Sequence, residues 1–144
     1  MGRALLALLA PLPSACAMDA GPSGAWADLD FTERVTFMTR MVRPTMRDIF
    51  QARDPELYED FDCESCQGPD GEANDYEMPT FLYPLPLEGT LEAAEARDPE
   101  LTAFMVEEVH PAMAALLGEA RFNASTAPDG FRCTRCHQVE EEDD

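Results

Sequence analysis

Two stretches of the chain carry the same pattern of apolar and polar positions. Residues 37–50 read FMTRMVRPTMRDIF and residues 104–117 read FMVEEVHPAMAALL. Phe37/Phe104, Met38/Met105, Val42/Val109, Pro44/Pro111, Met46/Met113 and Ile49/Leu116 therefore coincide. In the first stretch Val35, Met38, Val42, Met46 and Ile49 recur at helical spacing. In the second, Leu101, Met105, Val109, Met113 and Leu116 do the same. Such spacing aligns the apolar side chains along one face of an α-helix. Asp98 is placed to cap the second helix, Pro99 suits its first turn, and Gly118 suits its end. Pro44 and Pro111 each remove one backbone donor and are expected to kink their helices at matched places. Asp54-Pro55-Glu56-Leu57 is expected to start another short helix running toward Cys63.

The correspondence continues beyond the helices. Phe61-Asp62-Cys63 matches Phe131-Arg132-Cys133, the offset having grown from 67 residues at Phe37/Phe104 to 70 at Cys63/Cys133. Each unit thus reads as a helix, a loop and a C-x-x-C segment, unit one over about 28–68 and unit two over about 96–139. The linker, 69–95, is rich in glycine, proline and acidic residues and is expected to be irregular. At its start Gly68-Pro69-Asp70-Gly71 marks a turn, and the run from Met78-Pro79 to Pro84-Leu85-Pro86 reads as extended. No alternating strand pattern is present, so the expected fold is mainly α, a single tandem-unit helical domain over residues 18–139. Residues 140–144, Glu-Glu-Glu-Asp-Asp, read as an acidic tail.

Composition narrows the function classes. Of 144 residues, 29 are Asp or Glu and 10 are Lys or Arg, for a net charge of -19. That balance argues against nucleic acid, whose phosphates must be neutralised by basic side chains, and against an anionic membrane surface. An acidic surface serves solubility and can steer a basic partner. At the N-terminus, Arg3, the apolar stretch Ala4 to Ala10 and Ala15-Cys16-Ala17 read as a signal peptide over residues 1–17, with the mature chain starting near Met18. The stretch is too short for a transmembrane span. A second reading makes Cys16 the lipidated first residue of a lipoprotein. Both readings place the remaining four cysteines in an exported, oxidising compartment.

Those four form two pairs, Cys63-Glu64-Ser65-Cys66-Gln67 and Cys133-Thr134-Arg135-Cys136-His137. The second has the C-x-x-C-H spacing that tethers haem through two thioethers and ligates its iron with the adjacent histidine. The first has Gln67 where that histidine should stand. An amide is a weak iron ligand, so this copy reads as a degraded site.

At Cys133, Cys136 and His137 the chain resembles bacterial c-type cytochromes, and the doubled layout resembles a small dihaem cytochrome. Cys66-Gln67-Gly68 is similar to the C-H-G that often follows in that group, and Met78-Pro79 is similar to its axial-methionine loop. The resemblance implies a cytochrome-c-like helical domain in the periplasm, carrying one haem c on Cys133 and Cys136, or two if Cys63 and Cys66 are also loaded. It implies electron transfer to or from a redox partner protein rather than catalysis. The second axial ligand decides the chemistry, since an open position would permit peroxidase-like activity. Met113, Met78, Met46 and His110 are the candidate distal ligands. Helically spaced methionines are also ordinary core residues, and His110 before a proline is also an ordinary surface or capping residue.

Two haem-free readings compete. Cys63, Cys66, Cys133 and Cys136 could together hold zinc, joining the units as a structural or binding module. Alternatively each pair closes a local disulfide. A thiol-disulfide oxidoreductase is disfavoured, because such enzymes carry their pair at a helix start within a sheet-based fold. No nucleophile elbow, phosphate loop or H-E-x-x-H motif is present.

Overall fold

The computed structural model describes residues 25–76 and 81–140, and these are mainly helical, with only isolated β-bridges among them. The expected signal peptide, Cys16, Met78 with Pro79, and all but the first residue of the acidic tail lie outside the described residues.

Unit one contains α1 (Phe31–Phe37), a π-helical segment (Met38–Val42) and α2 (Arg43–Arg53), followed by the single-turn α3 (Glu64–Gln67). Unit two, preceded by α4 (Thr90–Arg97), repeats the order with α5 (Pro99–Phe104), a π-helical segment (Met105–Val109) and α6 (His110–Leu117). The two π segments occupy matched positions just ahead of Pro44 and Pro111. Their cause is local. A proline ring collides with the carbonyl four residues back and has no N–H to offer it. Instead of snapping, each helix widens by one residue: Arg43 N–H donates to Met38 O, and His110 N–H donates to Met105 O. Where the sequence predicts a kink at each proline, both units carry a widened π turn just ahead of it.

The caps follow the sequence closely. The Asp98 carboxylate accepts the Leu101 N–H at 2.9 Å, and Gly118 ends α6 at φ 69°, a left-handed conformation that glycine adopts without side-chain strain. Two expectations need correction. Residues 55–60 form hydrogen-bonded turns rather than a helix: the Asp54 carboxylate caps Leu57 N–H as Asp98 caps Leu101 N–H, but the ladder stops after Tyr58 N–H to Asp54 O, where Gln51 Nε2 takes the Tyr58 and Glu59 carbonyls. The linker is not irregular throughout, since α4 begins at Thr90.

The duplicated helices pack on each other reciprocally: α2 lies on the π segment of unit two and α6 on the π segment of unit one. Matched residues Val42 and Val109 are both buried there, with Met46, Phe61 and Phe104 completing the main core. Phe50 stands between two of these rings, with centroids 5.1 Å from Phe61 and 5.2 Å from Phe104. A smaller cluster of Ala114, Leu117 and Phe131 packs against Cys136 and ties the second C-x-x-C segment to α6.

Each unit also anchors its cysteine segment to its helix through one carbonyl. In unit one the Arg47 guanidinium donates twice to Phe61 O, at 3.0 and 2.8 Å. In unit two His110 Nε2–H donates to Phe131 O at 2.8 Å. Phe61 and Phe131 are matched positions, each buried and each two residues ahead of its first cysteine. Between α6 and Phe131 the chain turns back in a short hairpin that pairs Asn123 with Ala127, and a parallel bridge of Arg121 with Phe131 closes it, Phe131 N–H donating to Ala120 O at 2.7 Å. Gly130 is needed in it, because a Cβ there would lie 2.7 Å from Ala120 O.

Candidate functional site

Both cysteine segments close into the same single turn. Cys66 and Gln67 donate their N–H groups to Cys63 O, and Cys136 and His137 donate theirs to Cys133 O at 3.0 and 2.9 Å. The turn brings each cysteine pair and the residue after it to one side of a short helix. All four thiols are free.

Past His137 the chain runs beside residues 83–85. Leu85 N–H donates to Gln138 O and Glu140 N–H donates to Leu85 O, a parallel bridge between Leu85 and Val139. Two residues earlier on each strand, Tyr83 and His137 are neighbours. His137 Nδ1 lies 2.9 Å from Tyr83 O, with the two rings 5.0 Å apart. A carbonyl can only accept, so in the neutral ring Nδ1 carries the proton and Nε2 the lone pair.

His137 opens onto a cavity of about 330 Å³. One wall comes from α5, its π segment and α6, where Thr102, Met105, Val109 and Met113 follow one another at helical steps. The second wall holds Cys133, Cys136 and His137, and a third includes Leu85, Leu87 and Leu91. The lining is chiefly apolar, with convergent polar groups, and the volume falls at the low end of small-molecule sites, which span roughly 300–1,000 Å³.

The distal-ligand candidates separate in space. Met113 is on the cavity wall, joined by Met105, which the sequence marks only as a repeated position. Met46 is 3% exposed in the core between the helices. His110 reaches the wall with both ring nitrogens engaged: Nε2–H donates to Phe131 O, and Nδ1 accepts from Arg121 Nε at 3.2 Å. Burial and the Arg121 charge hold its pKa below the ordinary histidine value, against the opposing pull of the Phe131 carbonyl.

Cys133 and Cys136 have raised thiol pKa values, chiefly through burial. Cys66 is pushed to about 11 by burial, then by Cys136 and Cys63 beside it. Its surface is nevertheless solvent-accessible. Thiols held this way are protonated and slow as nucleophiles, which does not suit a thiol-disulfide oxidoreductase. Gln67 Oε1 and Thr102 Oγ1 are buried without a hydrogen-bond partner. Among the described residues no group of three or more His, Cys, Asp or Glu side chains is gathered as a metal cage.

Tyr83 and Arg121 are not legible as site residues in the sequence. Tyr83 acts through a backbone carbonyl, which every residue has. Arg121 sits in a hairpin with no counterpart in unit one. None of the helices among the described residues is long and apolar enough to cross a membrane. No family model, curated protein or solved structure matches the chain.

Proposed function

We propose that the protein is an exported c-type cytochrome that carries one covalent haem on unit two and passes single electrons to or from a partner protein. The observation that carries this reading is His137, a cavity-lining residue: its Nδ1–H is fixed on Tyr83 O, which leaves the Nε2 lone pair without a hydrogen-bond partner among the described residues. Metal-binding histidines are commonly oriented in this way, by a hydrogen bond from the nitrogen that does not touch the metal.

The other residues fit the same group. Cys133 and Cys136 would tether it through thioethers, and both line the cavity beside His137. Met113 and Met105 offer thioether sulfurs from the facing helix, with Met78 also a candidate. When bound, the haem would supply a one-electron couple whose potential the axial ligand tunes. The chain's own part is to hold Nε2 in position, exclude water with an apolar wall and present a charged exterior. A net charge of -19 would steer a basic redox partner.

A second reading draws on Cys66, which lies close enough to Cys136 to feel its charge. Thiols of both units share one neighbourhood, so a haem-free module held by disulfides or by zinc is the competing proposal. A zinc site built from all four cysteines would require the two segments to move together.

The test is intact mass plus a denatured haem spectrum, on protein exported from a host equipped for haem attachment. One haem per chain supports the proposal. A haem-free chain with four paired or zinc-bound cysteines overturns it in favour of the second reading.

A further inference from the structure

The chain contains no lysine, and its ten arginines face 29 acidic residues. Two of the ten, Arg121 and Arg132, stand on the wall of one cavity that has Glu92 as its acidic lining residue. Arg121 Nε donates to His110 Nδ1, and its Nη2 donates to Val106 O at 3.3 Å. Arg132 Nη2 donates to Pro128 O, and its guanidinium lies 3.9 Å from the Phe122 ring centroid. These acceptors are uncharged. The ion pair of Arg135 with Glu119 lies outside the cavity lining. What sets Arg121 and Arg132 apart is their place, charged side chains on a chiefly apolar cavity wall.

The hold on Arg121 is specific. Its Nε–H and one Nη2–H are committed to groups on the π segment and α6, which leaves the Nη1 face of the fork for a further acceptor. His110 serves as the positioning residue: with Nε2–H on Phe131 O, its Nδ1 has to be the acceptor that orients Arg121.

We infer that the cavity takes a flat apolar ring bearing carboxylates, and that Arg121 is the residue that pairs with a ring carboxylate at the cavity mouth. The inference rests on the haem reading, because haem is such a ring. It goes beyond that reading in assigning the carboxylate contact to a hairpin that unit one lacks. Planar guanidinium matches a carboxylate in two parallel hydrogen bonds, which lysine cannot reproduce.

The experiment uses the full chain in its haem-free form, titrated with metal-free protoporphyrin IX and with its dimethyl ester, read by porphyrin fluorescence. The dicarboxylate is expected to bind more tightly than the diester. Arg121→Gln is expected to weaken the dicarboxylate about fivefold, in line with a partly exposed ion pair, and to leave the diester unchanged. Arg121→Lys should recover only part of that loss, and Arg135→Gln should change nothing. Equal binding of both porphyrins, or an unchanged preference in Arg121→Gln, overturns the carboxylate assignment alone. Failure of both porphyrins to bind overturns the ring-binding reading and this inference with it.

Discussion

His137 and Tyr83 are joined by a 2.9 Å hydrogen bond from imidazole Nδ1–H to a backbone carbonyl, although 54 positions separate them in the chain. The bond follows from the parallel pairing of Leu85 with Val139 two residues further along each strand. It fixes both the ring orientation and the tautomer, so Nε2 is the nitrogen left to bind.

His137→Ala removes that nitrogen and leaves both cysteines in place. The expected outcome is a chain that no longer gives a stable low-spin haem spectrum after export with the attachment machinery. An unchanged visible spectrum would show that His137 is not the proximal ligand.

Gln67 occupies the equivalent position in unit one, on the same single turn, with Oε1 buried and unpartnered. Gln67→His supplies the missing imidazole. Intact mass should then rise by a second haem under the same export conditions. A mass showing no added haem relative to the parent would mean that the unit-one segment has lost more than its ligand.

Met46 and Met113 are matched in sequence and differ in surroundings. Met46 is buried between the helices, and Met113 is on the cavity wall. Met46→Ala should cost about 2–5 kcal/mol of stability in urea unfolding, as core truncations to alanine do. Met113→Ala should cost less and should shift the visible spectrum of the loaded protein. The reverse assignment of effects would place the ligand in the wrong unit.

His110 makes stability depend on pH. Its folded pKa is lowered by burial and by Arg121, so the unfolded chain binds its proton more readily. Stability from this group is complete above the unfolded value of about 6.5 and falls as pH drops through the interval below it. Between about pH 7.5 and 5, the parent should therefore lose more stability than His110→Gln, because only the parent carries this linkage. Equal losses in urea titrations at the two pH values would show that His110 does not stay neutral in the folded chain.

The duplication, the two long helices, the Asp98 and Gly118 caps and the disturbance at each proline are all legible in the chain. Each arises from neighbours within a few residues, where spacing and backbone chemistry act directly. The short helix expected at Asp54 does not form although its D-P-E-L sequence repeats the start of α5, because Gln51 takes the Tyr58 and Glu59 carbonyls, a contact the local spacing does not announce. Among the described candidates, Met46, Met113 and His110 look alike in sequence, because spacing places them on helix faces but does not say what each face meets. Packing decides that. The reciprocal contact of α2 and α6 with the opposite π segments buries Met46, and the cavity receives Met113 and Met105. The sequence by itself determined a mainly helical tandem with one complete and one altered C-x-x-C-[His/Gln] segment. Only the tertiary structure decided that His110 is committed to Phe131 and Arg121 while His137 has Nε2 free. Those hydrogen bonds join residues 11 to 54 positions apart, and no local rule of spacing reaches that far.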